Sequence, residues 1–175
     1  MSIMNTYTGK LFDPLHMQPE DVDLVDIAHA LSLLCRGGGH IDRFYTVGLH
    51  SINCAREAQA RGWSSRLVLA CLLHDASEAY IADIIRPVKP YLTNYLEIED
   101  QIMNVIWKHF HLDLTPEEHA KWKQIDDEIL DSELKEMFSR QNDRTPVPLA
   151  SRPDFRERPH EEVETEFIAL AKELL

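Results

Sequence analysis

The 175-residue chain is 44% hydrophobic and sets eighteen Lys and Arg against thirty Asp and Glu, a formal charge of −12. That length buries one sizeable core and is too short for two, so a single domain over residues 1–175 is expected. So negative a surface repels nucleic-acid backbones and acidic membranes and argues against a polynucleotide or membrane partner. A metal with one or two basic side chains can still reverse the field inside a pocket and admit a small phosphorylated substrate.

After an irregular start over 7–19, broken by Gly9, Pro14 and Pro19, residues Leu24, Ile27, Ala28, Leu31 and Leu34 recur at helical spacing, with acids in the first turn. This first helix should stop at Gly37-Gly-Gly39, where three glycines disfavour continued helix. A second helix is expected over about 43–60, closed by Gly62. Ser64-Ser65 can cap a third, whose run Leu67-Val-Leu-Ala-Cys-Leu-Leu73 is apolar on every side, as in a helix surrounded by others. Pro87 and Pro90 mark a loop, residues 95–110 a fourth helix, and Thr115-Pro116-Glu-Glu118 the capped start of a fifth running to about residue 140. Residues 139–160 contain four prolines and read as a long surface loop, a connector or a lid. Residues 162–175 form a last amphipathic helix. Nothing reads as a strand, so the expected fold is an all-α compact bundle of about six helices.

Cys35, Cys54 and Cys71 are odd in number, lack CxxC spacing and sit in apolar helical patterns, which marks them as reduced core residues. No stretch approaches the roughly 18 apolar residues of a membrane span, and no basic start leads into a long apolar run; the expected location is the cytoplasm.

Function enters where ionisable side chains take positions that the helical period assigns to the interior. On the third helix Leu67, Ala70, Cys71, His74 and Glu78 follow at three- and four-residue steps, with Asp75 beside them. His50 lies at the edge of an apolar arc between Val47 and Cys54. On the fifth helix the stripe Trp122, Ile125, Ile129, Leu130, Leu134, Met137 and Phe138 places Asp126 and Glu133 inside and Asp127, Glu128 and Asp131 outside. Unpaired buried carboxylates cost several kcal/mol, so these groups need each other or a shared cation. Spacing leaves both readings open, since a lone helical histidine or capping acid is common. If a cation is present, two imidazoles and two carboxylates suit a first-row divalent ion (Mn, Co, Zn, Fe or Ni) better than calcium.

Taken in order, Asp26-Ile-Ala-His-Ala-Leu-Ser32, Cys35-Arg36, Gly39-His40, Phe44-Tyr-Thr-Val-Gly-Leu-His-Ser51, His74-Asp-Ala-Ser-Glu-Ala-Tyr-Ile-Ala-Asp-Ile-Ile-Arg-Pro-Val-Lys89 and Lys123-Gln-Ile-Asp126, with Glu133 seven residues on, resemble the HD-domain phosphohydrolases. The likeness is to bacterial 5′-deoxynucleotidases and short phage and prophage relatives, and its motifs span about 7–138. It implies His50, His74, Asp75 and Asp126 as ligands of one divalent first-row metal, with magnesium a poorer fit, and Glu78 as the residue that orients or deprotonates the attacking water. It implies Asp83 as a sugar or leaving-group contact, and Arg36 and Lys89 as phosphate contacts. His40 stands beside the glycine turn, where it could reach the substrate, and His29 matches the family without a clear role. The implied substrate is a small nucleotide, either a deoxynucleoside 5′-monophosphate or a triphosphate, and a homodimer is common among such proteins. Gly37 stands where relatives usually carry an aromatic residue, so the sugar preference does not carry over.

Two other functions fit the motif less well. Alarmone (guanosine tetraphosphate) hydrolases usually carry a Glu-Asp pair after the His-Asp motif, whereas here Ala79 follows Glu78. A non-catalytic metal or nucleotide sensor would be expected to lose a ligand or the water-orienting acid, and none is lost.

Overall fold

The computed structural model describes residues 3–138 and 143–175. Among them the chain is all-α: helices α1 (Leu24–Leu33), α2 (Val47–Ala60), α3 (Ser65–Leu73), α4 (Glu78–Ile81), α5 (Thr93–His109), α6 (Pro116–Met137) and α7 (His160–Leu174), preceded by a hairpin of β1 (Met4–Asn5) and β2 (Leu11–Phe12). The hairpin corrects the reading that no strand is present. Two-residue strands are too short to show alternation, and this pair is fixed from outside: Thr8 donates its backbone N–H and hydroxyl to the buried Asp26 carboxylate at 2.7 and 2.9 Å, tying the hairpin to α1.

The helix starts follow capping chemistry. Asp23 accepts from Val25 at the head of α1, and Thr46 accepts from Leu49 at the head of α2. Ser64 caps α3, and Thr115 with Glu118 forms a capping box on α6 behind Pro116. Two expected boundaries move. Helix α2 begins at Val47 rather than near 43, because Cys35 and Thr46 form an antiparallel bridge and Thr46 is extended as the cap. Helix α3 ends at Leu73, so His74 and Glu78 do not share one continuous helix. The chain stays in αR backbone at His74 and Ser77, which keeps the helical direction of both side chains across the break. A third boundary moves as well: α1 ends at Leu33, ahead of Gly37-Gly-Gly39, because Leu34 is extended and Cys35 bridges Thr46, and the glycines make a separate 3-10 turn with all three at positive φ.

Helices α2 and α3 form the centre, packed on each other, with α6 against both; α7 lies across α1, α2 and α3. Every residue of α3 from Leu67 to Leu73 is buried, as the all-round apolar pattern requires. Helices α1 and α2 approach at Gly48, where a Cβ would meet the backbone of Leu31 and Ser32 at 3.2 Å. No helix of the described residues is long and apolar enough to cross a membrane.

Residues 143–159 carry no regular structure and are pinned to α2, which favours the connector reading of this loop; residues 139–142 of the expected loop, and the expected end of the fifth helix near 140, lie outside the described residues. Glu57, fully buried on α2, accepts from the backbone N–H of Ala150 (2.9 Å) and Ser151 (2.7 Å), from the Ser151 hydroxyl (2.5 Å) and from Arg61 (2.8 Å). Burial works against the charge on Glu57, but the bonds from Ser151, Ala150 and Arg61 outweigh it and hold the carboxyl below its usual range. Glu57→Ala should lower unfolding free energy by about 3 kcal/mol, measured by urea denaturation, because it strands these donors. A carboxyl depressed on folding stabilises the fold above its unfolded pKa, roughly 4.3, and the contribution disappears as pH falls through the lower folded value. The gap between wild type and Glu57→Gln should therefore be full at pH 7 and shrink in acid.

Candidate metal centre

His50 is wholly buried on the inner face of α2, one helical turn before Cys54. Its Nδ1 donates to Glu133 Oε1 of α6 at 2.5 Å, which turns Nε2 toward the space between α2, α3 and α6. His74, at the C-terminal cap of α3, donates Nδ1–H to the Cys71 carbonyl at 2.8 Å and turns its own Nε2 into the same space. The two Nε2 atoms stand 3.3 Å apart. Asp126 Oδ1 lies 3.2 Å from His50 Nε2 and 3.7 Å from His74 Nε2; Asp75 Oδ2 lies 3.8 and 3.3 Å from them. The choice of Asp126 over Asp127 from helical phase agrees with this, since the Asp126 side chain is 12% exposed and that of Asp127 48%.

These distances fit a shared cation. Bonds of about 2.0–2.2 Å place neighbouring donors on one ion roughly 3.0–3.4 Å apart, close to the spacings found. With each Nδ1 proton committed to an acceptor, neutral imidazoles point two Nε2 lone pairs at each other beside two carboxylates. A positive charge must sit there, either added protons or a metal. Burial opposes protonation of His74, but Asp75 and Asp126 override it and hold its pKa well above the usual imidazole range.

Cys54 belongs to this group, a part the sequence reading missed by assigning it to the core. Its Sγ is 3.5 Å from His50 Nε2, and donor atoms of His50, Cys54 and His74 lie within 4.8 Å of one another. This buried His-Cys-His group with its flanking acids can hold a metal ion. Burial pushes the Cys54 thiol well above its usual range, so it is neutral while the carboxylates are charged. The two aspartates are therefore the stronger attraction for a cation. Nothing in the spacing distinguished Cys54 from Cys71, which is also buried.

A second layer holds the first. Glu133 accepts from His50 and from the Tyr45 hydroxyl at 2.8 Å, and it forms an ion pair with Arg36, Nε to Oε2 at 3.3 Å. Arg36 also reaches Asp75 Oδ2 at 3.2 Å, and its side chain is only 13% exposed. Arg36 is thus built into the wall of the cluster and faces carboxylates. Lys89 pairs with Glu99 at 2.6 Å and lies over the Tyr95 ring, on the α5 side of its loop. His40 is exposed, and no contact described for the cluster involves it. Arg86, not singled out from the sequence, donates to Asp126 Oδ2 at 2.6 Å and Asp127 Oδ1 at 2.5 Å with its side chain half exposed. Its place in the Arg86-Pro-Val-Lys89 stretch was the available signal. His29 stacks on Tyr7 (3.6 Å between centroids) and bonds Glu164 at 2.9 Å, a structural role outside the cluster.

Glu78 opens α4 and is buried, and its Oε2 has no hydrogen-bond partner among the described residues. Burial, with Asp75 and Asp83 nearby, raises its pKa well above the usual carboxylate range. Asp83 is half-buried just past the end of α4. Between them Ala82 takes φ 67°, a conformation that residues with a Cβ rarely adopt and that clusters at functional sites. A cavity of about 560 Å³ opens against this segment, with Tyr7, His29, Leu33, Glu78 and Ala82 on its wall.

The fold and the cluster define an all-α protein with a buried candidate metal centre. The chain is 35% identical over 112 residues to "Uncharacterized protein YfdR" of Escherichia coli, covering 64% of this chain and 60% of that protein. It is 36% identical over 111 residues to "Uncharacterized protein RCAP_rcc00048" of Rhodobacter capsulatus, covering 60% and 56%. The chain thus spans less than two thirds of the length of the curated relatives it matches. No family model matches it.

Proposed function

We propose that this chain is a divalent-metal-dependent phosphohydrolase of the HD-domain type, acting on a deoxynucleoside 5′-phosphate. The observation that carries the reading is the convergence of two outward-locked imidazole nitrogens and two aspartates on one point, with a buried, unpartnered carboxylate oxygen, Glu78 Oε2, close to Asp75.

In this reading His50, His74, Asp75 and Asp126 hold the ion, and Glu133 and the Cys71 carbonyl fix the imidazole tautomers. A bound divalent ion would acidify water and offset phosphoryl charge. The chain's own groups supply the rest. Glu78, buried with an unpartnered oxygen, is suited to accept a proton from water. Arg86 is the cation best placed for substrate, because its half-exposed guanidinium can exchange the Asp127 carboxylate for a phosphate fork. Lys89, paired with Glu99, acts through its charge on Glu78 and Asp75. The 560 Å³ cavity bordering Glu78 falls within the size range of small-molecule pockets and has room for a nucleoside.

The test is phosphorus NMR of products from deoxynucleoside mono- and triphosphates, with metal-stripped protein and Mn(II), Co(II), Zn(II) or Mg(II) added back. The expected result is hydrolysis that depends on the added metal. Orthophosphate from monophosphates marks a nucleotidase, and tripolyphosphate from triphosphates marks a triphosphohydrolase. No product with any metal would overturn the reading in favour of a metal or nucleotide sensor.

A further inference from the structure

On the far side of α2 from the metal cluster, a cavity of about 380 Å³ is walled by Asn53, Arg56, Arg152, Asp154, Arg156 and Arg158. Four guanidiniums there face three carboxylates, the third and second being Glu166 and Glu162 of α7. This reverses the balance of a chain in which acids outnumber bases thirty to eighteen. Among the described residues Arg152 has no ion-pair or hydrogen-bond partner. Arg158 is held in place, 2.7 Å from Glu166 with its side chain 16% exposed, but the pairs of the other two lie at the surface: Arg156 forks onto Asp154 (2.8 and 2.9 Å) with its side chain 81% exposed, and Arg56 meets Glu166 at 3.4 Å with its side chain 47% exposed. Such exposed pairs contribute little and exchange readily, while guanidinium forks match tetrahedral oxyanions.

The back wall of this cavity is connected to the cluster. Asp154 clasps the Asn53 side chain through its backbone, N–H to Oδ1 at 2.9 Å and C=O from Nδ2 at 3.0 Å. Asn53 Nδ2 also donates to the Tyr45 hydroxyl at 2.9 Å. Tyr45 donates to Glu133 Oε1, the same oxygen that accepts from His50. A ligand that draws Arg156 from Asp154 therefore acts on a residue four hydrogen bonds from a donor of the cluster.

We propose that this arginine-lined cavity is a second binding site, for a multiply charged oxyanion of the phosphate class, and that its occupancy is felt at His50 through Asp154, Asn53, Tyr45 and Glu133. The site stands independently of what the metal cluster hydrolyses.

The test is calorimetric titration of metal-stripped, full-length protein with two probes, inorganic tripolyphosphate and a deoxynucleoside triphosphate. Arg152→Ala/Arg156→Ala, both exposed positions, should weaken binding about tenfold or more, while Lys108→Ala, an exposed cation of α5 that belongs to neither site, stays within about twofold of wild type. Arginine-dependent binding of the inorganic probe alone assigns a free polyphosphate; such binding of both assigns one that includes nucleotide-borne chains. Equal affinity in the double variant, loss of binding in Lys108→Ala, or no saturable binding would each overturn the site. In the same titration the ring signals of His50 and Tyr45 in heteronuclear NMR should shift in the wild type and stay still in the double variant. Saturable binding that leaves both rings unmoved would overturn the coupling.

Discussion

Glu78→Gln should keep its metal and lose turnover. If Glu78 receives the proton of the attacking water, removing that acceptor lowers kcat by about 10²–10⁴, while metal content, read by atomic emission, stays near one ion per chain. The direction of the stability change separates this from a structural role. Glu78 is buried close to Asp75 and Asp83 with an unpartnered oxygen, and burial, then their like charge, pushes its pKa up. An uncharged amide relieves that repulsion, so the variant should unfold at the same or higher urea concentration than wild type. A variant that hydrolyses nucleotide at the wild-type rate would remove Glu78 from the catalytic role. One that loses metal along with activity would make it a ligand.

Asp126→Asn should do the opposite and weaken metal binding itself. Asp126 Oδ1 is the carboxylate oxygen closest to His50 Nε2, and it lies within 3.7 Å of His74 Nε2. The amide keeps the shape but gives up the charge that attracts a cation and turns a donor group into the cluster. Metal affinity should fall more than the roughly 10–100-fold typical of outer-layer changes, for which Glu133→Gln is the internal comparison. Competition with a chromogenic chelator measures both. Equal losses in the two variants would place Asp126 in the supporting layer beside Glu133. Asp126 also accepts from Arg86 at 2.6 Å, so Asp126→Asn leaves that guanidinium with Asp127 as its remaining carboxylate and should raise the affinity of the metal-stripped protein for phosphate anions.

Helical phase was enough to separate Asp126 from Asp127 and to bring Glu133 inside, because an amphipathic helix of 22 residues commits each position to one face. It was enough for His50 and His74 as well, which continue the inward steps of Val47 and Cys54 on one helix and of Ala70 and Cys71 on the other. Phase says which way a side chain points and nothing about what it meets. The clasp of Asn53 by Asp154 joins residues 101 apart, and the contact of Arg86 with Asp126 crosses from a loop that has no period to read. Lys89 and Arg36 were both expected at the substrate on family likeness. The fold pairs one with Glu99 and seats the other between Asp75 and Glu133. The start of α2 differs from the expected one for a local reason: the bridge between Cys35 and Thr46 keeps Thr46 extended as the cap, so the helix begins only after it.

Gly48 sits two residues ahead of His50, flush against the main chain of Leu31 and Ser32. Side chains elsewhere in an interface can repack around a newcomer by changing rotamer, but a peptide plane has no rotamer to change. The depth at which the His50 ring enters the cluster is therefore set by the spacing of two backbones. Substitutions in the surrounding loops can reshape what the protein admits, while any side chain at position 48 would lift the helix that carries the imidazole. Drift in selectivity and drift in metal geometry consequently belong to different parts of this chain and can proceed separately.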